Sequence, residues 1–241
     1  MQLRLLALIV ASVAGPAFAQ DKPKTGFVDA KYKNADGSES PYVVFVPHSY
    51  APETQLPVIL FLHGSGETKG GSKMPIAVGL APAIKKLEKT FGFITVIPQS
   101  EKRTWSATSD DGKRALAILD EVVKKYNGDS KRVYLTGLSM GGYGTWSLAV
   151  AHPDRWAAIV PICGGGDPSK AETIKDIPTW VFHGDADTAV KVEKSRDMIA
   201  AIKKAGGKPN YTEYLDVPHN SWDKAYATKE LYTWLLEQKA K

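Results

Sequence analysis

The sequence predicts an α/β fold built on a mostly parallel, doubly wound β-sheet. Beyond residue 50, short apolar runs alternate with amphipathic helical segments, a pattern typical of strands joined by right-handed crossover helices. The apolar runs are nearly unbroken, as expected for parallel strands that helices cover on both faces. Two extended segments come before this part of the chain and predict an antiparallel hairpin on its N-terminal side.

Residues 1–19 are expected to form a cleaved signal peptide outside the fold. Arg4 precedes an apolar stretch at residues 5–13, and the small-x-small run Ala17-Phe18-Ala19 follows, which is the order of a secretory signal. The stretch is too short for a membrane span, although a short N-terminal anchor is the alternative. We therefore expect a protein exported to the periplasm or the outside of the cell, without a stable membrane anchor, and a single domain over residues 20–241.

Composition argues against several classes of partner. The 241 residues include 31 Lys+Arg and 26 Asp+Glu, a net charge of +5, and the lysines are scattered along predicted helices. That mild excess indicates solvated surface, so no nucleic-acid partner is expected. The one cysteine, Cys163, follows an apolar run and predicts a buried thiol rather than a disulfide. No cluster has metal-ligand spacing, so no metal or cofactor is expected, and the oligomeric state is not indicated.

The predicted elements follow one another in a regular order. The N-terminal hairpin consists of "GFVDAKY" and "SPYVVFVPHSY", separated by the turn-rich "KNADGSES". Helical stripes of apolar residues lie at residues 110–127 and in a last helix carrying Ala227, Leu231, Trp234 and Leu235. The remaining strand candidates, in chain order, are "LPVILFLHG", "FITVIPQ", "RVYLTGLS", "WAAIVPICG", "TWVFHGD" and "YTEYLDV".

A candidate nucleophile lies where one of these strands meets a helix. Gly137-Leu138-Ser139-Met140-Gly141 fits the G-x-S-x-G pattern, after the strand "RVYLTG" and before a helix with a small-residue entrance. A sharp strand-to-helix turn needs small residues two positions before and after the serine so that the backbone can close. The alternative is a glycine-rich turn with an idle serine. We interpret Ser139 as a nucleophile exposed at the turn.

A serine nucleophile needs a base and a carboxylate that orients it. Of the five histidines, His219 follows the last predicted strand in a loop and is the best candidate base. Asp185 and Asp187 both follow the strand "TWVFHG"; we favour Asp187, because a carboxylate further from the strand end reaches the histidine loop more easily. His63 and His183, in His-Gly pairs at strand ends, are expected to shape loops.

Two backbone N–H groups are expected to stabilise an oxyanion. One belongs to Met140, next to Ser139, and the other to Ser65 in the loop "LHGSGETKGG". A phosphate-binding loop is the competing interpretation of that stretch, but it lacks the G-x-x-x-x-G-K-[ST] spacing. Trp105 and Trp222 are assigned to loops at the same edge of the sheet and are candidate substrate contacts.

With these motifs, the chain resembles the α/β-hydrolase superfamily over about residues 40–238. The matching stretches are "FLHGSGE", "GLSMGGYGTW", "PICGGGDP", "VFHGDADTAV" and "PHNSW". The similarity is greatest to secreted bacterial proteins related to prolyl oligopeptidases and dienelactone hydrolases, a group that overlaps with carboxylesterases, polyhydroxybutyrate-depolymerase-like enzymes and feruloyl esterases. The resemblance implies that Ser139 is the nucleophile, Asp187 the acid and His219 the base. Dienelactone hydrolases usually use a cysteine nucleophile, which argues against that activity.

Three hypotheses of function follow. The first is an exported serine esterase that cleaves carboxylic esters through an acyl-enzyme, with feruloyl or acetyl esters of plant polysaccharide as candidate substrates. The second is a prolyl-oligopeptidase-like peptidase with the same triad, and the third is a non-catalytic binding module on this fold. Only "GGDPSKAETIKDI" separates two of the central strands, so we expect an open cleft without a large cap domain.

Overall fold

Eight strands form one mixed sheet in the computed structural model, which describes residues 24–69 and 75–240. Their spatial order is β1-β2-β4-β3-β5-β6-β7-β8. The strands, in chain order, are β1 Gly26–Lys33, β2 Glu39–Val46, β3 Leu56–Leu62, β4 Ile94–Pro98, β5 Gly128–Leu138, β6 Ala158–Ile162, β7 Trp180–Gly184 and β8 Asn210–Tyr214.

Helices cover both faces of this sheet. The α-helices of the described ranges are α1 Leu80–Lys86, α2 Asp110–Lys125, α3 Met140–Ala151, α4 Ala171–Ile174, α5 Glu193–Lys204, α6 Trp222–Ala227 and α7 Lys229–Glu237. Three short 3-10 segments lie at Ser65–Glu67, Pro153–Arg155 and Pro168–Lys170.

Strand directions confirm the predicted fold class. β1 pairs with β2 and β2 with β4 in antiparallel registers, whereas every pair from β4 through β3 to β8 is parallel. Parallel strands carry their carboxyl ends to the same edge of the sheet, where ligands bind in such folds. The loops after β3, β5, β7 and β8 therefore meet there, and these loops carry the candidate residues of the sequence.

Burial on both faces explains the unbroken apolar runs. In β3, Val58, Leu60 and Leu62 belong to the core that α2, α3 and α5 cover, whereas Ile59 and Phe61 belong to the core beneath α1, α6 and α7. Each of these five side chains is at most 1% exposed. Burial of one such side chain stabilises a fold by about 1.5–3 kcal/mol, so both faces of the strand have to be apolar.

Two element boundaries differ from the prediction. β5 begins at Gly128, four residues before the predicted "RVYLTGLS", because Gly128 pairs with Leu56 ahead of the main register with β3. The last helix is divided at Thr228, whose backbone is extended and whose hydroxyl donates to the Lys224 carbonyl at 3.0 Å. Ala227 consequently ends α6 as an exposed residue instead of joining the buried stripe of α7.

The connection between β6 and β7 is short. It contains only the 3-10 turn Pro168–Lys170 and the four-residue helix α4, so the chain has no large cap domain at this position, as predicted. The predicted signal peptide lies outside the described residues. In the described part of the chain, no helix combines the length and the apolar character that crossing a membrane would require.

Candidate active site

Ser139 lies at a strained turn between β5 and α3. Its backbone has φ 52° and ψ −115°, a positive φ that a residue with a Cβ adopts only where the surroundings hold it. Its N–H donates to the Ile162 carbonyl of the neighbouring strand at 3.0 Å, which fixes the turn to the sheet. The side chain is left partly exposed at the N-terminus of α3.

The glycines around Ser139 are required by close backbone contacts. A Cβ on Gly141 would lie 1.9 Å from the Leu62 carbonyl oxygen, and one on Gly137 would lie 2.4 Å from the Gly141 carbonyl oxygen. Backbone atoms of a buried sheet cannot move aside as a flexible side chain can. The glycines two residues before and after Ser139 thus make this turn possible, as their spacing in the sequence predicts.

Ser139, His219 and Asp187 form one chain of hydrogen bonds. His219 Nε2 lies 2.9 Å from Ser139 Oγ, and His219 Nδ1 lies 2.6 Å from Asp187 Oδ2. A carboxylate can only accept, so Nδ1 carries the proton and Nε2 is free to accept the serine hydroxyl. The three residues come from the loops after β5, β7 and β8 and are brought together at the carboxyl edge of the sheet.

Asp187 is buried but well supplied with donors. Its Oδ1 accepts the N–H groups of Ala189 at 2.8 Å and Val190 at 2.9 Å. Burial acts to raise the pKa of this carboxyl, but the hydrogen bonds from His219 and the two N–H groups outweigh it and lower the pKa. Asp187 therefore stays ionised. Asp185, the less favoured candidate, instead accepts the N–H of Asp216 at 2.7 Å.

His183 is a second histidine on the same carboxylate, a contact that was not predicted from the sequence. Its Nε2 lies 3.1 Å from Asp187 Oδ2 and 2.9 Å from the Val190 carbonyl, and its Nδ1 lies 2.7 Å from Ser195 Oγ. Both neighbours of Nε2 are acceptors, so that nitrogen carries the proton and Nδ1 accepts the Ser195 hydroxyl. The four-residue spacing from His183 to Asp187 was the signal available in the sequence.

The two expected oxyanion donors lie on segments that contact each other. Met140 is the first residue of α3, so its N–H has no carbonyl within the helix to bond. Ser65 begins the 3-10 turn after β3. Gly64, the residue before Ser65, lies close to Leu138: a Cβ on Gly64 would be 2.8 Å from a methyl group of Leu138. The Ser65 loop therefore packs against the end of β5, directly before Ser139.

His63 holds this loop from behind. Its Nδ1 donates to the Gly64 carbonyl at 2.7 Å, and its Nε2 accepts the Ser100 N–H at 3.0 Å. Burial lowers the pKa of His63 to about 4, so the ring is neutral and can make both bonds. The loop-shaping role expected for His63 agrees with these contacts.

Trp105 and Trp222 differ in their surroundings. Trp105 is 1% exposed; its Nε1 donates to the His63 carbonyl at 2.9 Å, and its ring forms part of a cavity wall beside Met140. Trp222 begins α6 rather than lying in a loop, which corrects the sequence assignment. Its ring lies edge-on to His219, with centroids 5.3 Å apart, and it does not line that cavity.

A cavity lined in part by Met140, the residue after Ser139, has a volume of about 670 Å³, and Ser139 and His219 are not themselves part of its lining. Binding sites for small molecules commonly measure about 300–1,000 Å³ and are lined by apolar and aromatic groups. The indole Nε1 of Trp146 is buried without a hydrogen-bond partner among the described residues. The apolar and aromatic side chains of the lining are Trp105, Met140, Tyr143, Trp146 and Val150.

One group of three possible metal ligands coincides with this site. Within the described ranges, ligand atoms of Cys163, Asp187 and His219 lie within 4.8 Å of one another. Burial raises the pKa of the Cys163 thiol to about 12, whereas a metal ligand has to be a thiolate. Since Asp187 and His219 are also bonded to each other, we assign no metal here. Cys163 is a buried free thiol, as predicted.

Comparison with known proteins identifies esterases as relatives. The BD-FAE family matches residues 44–154, a span that includes Ser65 and Ser139 and ends before Asp187 and His219. A bifunctional acetylxylan esterase/xylanase from Neocallimastix patriciarum is 27% identical over 212 residues, which are 84% of this chain and 29% of that protein.

Solved structures extend the similarity to nearly the whole fold. A thermostable esterase is 36% identical, with a TM-score of 0.79 over 88% of this chain and 63% of that one. A ferulic acid esterase shares the fold at 20% identity, with a TM-score of 0.69 over 87% of this chain and 96% of the other. The chain thus spans less than a third of the acetylxylan esterase/xylanase and under two thirds of the thermostable esterase.

Proposed function

We propose that this chain, which has an α/β-hydrolase fold and is similar to esterases, is a serine carboxylesterase in which Ser139 is the nucleophile. The single observation that carries this proposal is the hydrogen-bonded chain from Ser139 through His219 to Asp187, with distances of 2.9 and 2.6 Å. A non-catalytic binding module would not need this arrangement at a strained turn.

The proposed reaction begins with transfer of the Ser139 hydroxyl proton to His219 Nε2 while Oγ attacks the ester carbonyl carbon. Asp187 stabilises the imidazolium, and the Met140 and Ser65 N–H groups donate to the oxygen that becomes negative. His219 then gives the proton to the departing alcohol oxygen as the C–O bond breaks. Water then gives a proton to His219 as it attacks the carbonyl carbon of the acyl-enzyme. The bond from that carbon to Ser139 Oγ breaks, the carboxylic acid leaves, and His219 returns the proton to Oγ.

An aromatic acyl group is proposed rather than acetyl, and the size and lining of the cavity support this choice. Its volume of about 670 Å³ and the rings of Trp105, Tyr143 and Trp146 offer far more apolar surface than a methyl group can cover. Planar rings pack well against aromatic side chains, which adds about 0.5–1.5 kcal/mol beyond area burial. We therefore propose hydroxycinnamoyl esters, attached to plant polysaccharide, as the substrate class. The short connection after β6 leaves room for a polymer-attached ester.

The enzyme is proposed to act after export, either in the periplasm or outside the cell. The support is the signal-like pattern of residues 1–19. An esterase that acts on polysaccharide needs this location, because polymers do not enter cells. Fractionation of the producing cells, followed by N-terminal sequencing, tests the proposal: a mature chain beginning at Gln20 outside the cytoplasm is expected, and a cytoplasmic chain beginning at Met1 would contradict it.

Hydrolysis of a p-nitrophenyl ester by the protein and by Ser139→Ala tests the activity. We expect a loss of at least about 10³-fold in kcat, since the nucleophile is removed while the fold is kept. Ser49→Ala, an exposed serine in the turn after β2, is the matched control and should retain full activity. Equal turnover by Ser139→Ala and the unaltered protein would refute the proposal.

A further inference from the structure

Arg103 is a cation at the wall of the cavity, and the proposed mechanism does not use it. The charged residues of that wall are Arg103, Lys170 and Asp167, which leave one positive charge in excess. Arg103 is exposed and has no hydrogen-bond or ion-pair partner among the described residues. It is therefore available to a ligand.

Lys170 is a weaker candidate, because a carboxylate accompanies it. Asp167 accepts the N–H and the hydroxyl of Ser169 at 3.0 and 2.7 Å. These two bonds, and to a smaller extent the Lys170 charge, lower the pKa of Asp167 and keep it ionised. The charge of Lys170 is partly balanced, so the excess charge is assigned to Arg103.

The carboxylates nearest to Arg103 in the chain are already engaged elsewhere. Glu101 lies 3.8 Å from the Arg114 guanidinium. Asp111 is fully buried, pairs with Arg114, and accepts the backbone N–H groups of Glu101 at 3.0 Å and Lys102 at 2.7 Å. Asp111 cannot turn to Arg103 without breaking these bonds, and Glu101, whose carboxylate accepts the Ser40 hydroxyl at 3.1 Å, forms its ion pair with Arg114. The Arg103 guanidinium therefore has no counterion in this loop.

The loop that carries Arg103 is held in a defined conformation. Arg103 has a φ of 57°, which costs free energy and persists only where the surroundings impose it. The Thr104 N–H donates to Ser100 Oγ at 3.3 Å, which closes the loop around Arg103, and the Trp105 indole donates to the His63 carbonyl at 2.9 Å. The same loop thus places an aromatic ring and a guanidinium on one cavity.

We propose that Arg103 is an anion subsite, and that the preferred substrate is an ester that carries a carboxylate, such as the uronic acid of an acidic polysaccharide. This inference rests on the proposed esterase function and narrows its substrate class. A guanidinium binds a carboxylate through two parallel N–H···O bonds, which makes an arginine well suited to this group. The carboxylate is carried either by the acyl group or by the alcohol, and the test separates the two.

Two matched substrate pairs measure the preference. For the acyl side, the p-nitrophenyl ester of p-carboxyphenylpropanoic acid is compared with its p-carbamoyl analogue, which is neutral and nearly the same size. For the alcohol side, the phenylpropanoyl ester of glycolic acid is compared with that of glycolamide. The readout is the ratio of kcat/KM for the anionic and the neutral ester, corrected for the ratio of their uncatalysed hydrolysis rates. A variant that lowers the folded fraction or slows the chemical step affects both esters alike and leaves this ratio unchanged.

In the unaltered protein we expect a ratio of about five in one of the two pairs, the scale of one exposed ion pair. The ratio should fall with added salt, fall to about one in Arg103→Gln and survive in Arg103→Lys. Lys102→Gln is the control, because that exposed neighbour does not line the cavity; its ratio should be unchanged.

A ratio near one in both pairs, or a ratio that Arg103→Gln leaves unchanged, would overturn the anion subsite while the esterase stands. An equal fall in Lys102→Gln would overturn it too, because it would show a general effect of surface charge. Failure of the esterase proposal is seen separately, as turnover of the neutral esters that is absent or that persists in Ser139→Ala.

Discussion

His183 and His219 donate to the same oxygen of Asp187, His219 from 2.6 Å and His183 from 3.1 Å. With the Ala189 and Val190 N–H groups on the other oxygen, the carboxylate receives four donors and cannot rotate without losing some of them. The direction in which Asp187 presents its charge to His219 is thereby fixed. His183 is accordingly a positioning residue in the proposed mechanism.

Replacement of His183 by Phe should lower kcat about tenfold on a p-nitrophenyl ester and leave KM nearly unchanged. The phenyl ring fills the buried site but donates nothing to Asp187, and a hydrogen bond to a charged group is worth about 1.5–3 kcal/mol. His183→Gln, whose amide can still donate, should recover part of kcat. An unchanged kcat in a folded His183→Phe protein, checked by circular dichroism, would exclude the positioning role.

Gly141→Ala should lower the free energy of unfolding by at least about 3 kcal/mol and abolish ester hydrolysis. The added methyl group would overlap the Leu62 carbonyl oxygen, and a buried strand cannot yield that space cheaply. Urea unfolding curves measure the change. Gly92→Ala is the matched control, since a Cβ there meets nothing within 4 Å; equal stability of the two variants would contradict the close contact.

Stability should depend on pH through His63. Its folded pKa of about 4 lies below the ordinary value of 6.5, so the unfolded chain binds the extra proton first. The free energy of unfolding should therefore fall as the pH drops from 6.5 to 4, by at most about 3 kcal/mol. Burial raises the pKa of the nearby Glu67, which acts in the opposite direction over this range.

A comparison with His63→Gln separates the contribution of His63 from that of Glu67. Urea unfolding of both proteins at a series of pH values gives the difference directly. The unaltered protein should lose more stability on acidification than the variant does. If the free energy of unfolding fell equally with pH in the two proteins, His63 would not be held in its neutral form in the folded state.

Filling the cavity should change the acyl preference. Val150→Phe is expected to lower the ratio of kcat/KM for a hydroxycinnamoyl ester to that for an acetyl ester by about tenfold, because Val150 lines the cavity that we assign to the aromatic group. Ala151→Phe adds the same ring at an exposed neighbouring position outside the cavity and should leave the ratio unaltered. An equal ratio in Val150→Phe and Ala151→Phe would show that the acyl group binds outside this cavity.

Most of the strands, and the residues proposed as a triad, could be predicted from patterns of a few neighbouring residues. Alternate burial forces apolar runs such as β3, and the glycines beside Ser139 are imposed by backbone contacts that any sequence with this turn must satisfy. Asp187 could be preferred to Asp185 because reach depends on distance from the strand end. These signals lie within a few residues of the feature they predict.

Relationships between distant segments were not predictable in the same way. The position of the His183 ring against Asp187 depends in part on Ser195, at the start of α5, whose hydroxyl donates to His183 Nδ1. The break between α6 and α7 depends on the extended backbone of Thr228, which helix propensity does not predict. Trp222, expected in a loop, begins α6. That Arg103 has no ion-pair partner among the described residues could be seen only from the partners of Glu101 and Asp111 in the structure.

Covalent trapping of the nucleophile tests the central claim most directly. The protein is treated with a fluorophosphonate, digested with trypsin, and the peptide of residues 133–155, which contains Ser139 and Ser147, is fragmented in a mass spectrometer. We predict one phosphonyl group on Ser139, a loss of ester hydrolysis in proportion to labelling, and an unlabelled peptide in Ser139→Ala. Loss of hydrolysis with the label on another residue would contradict the assignment of Ser139 as the nucleophile.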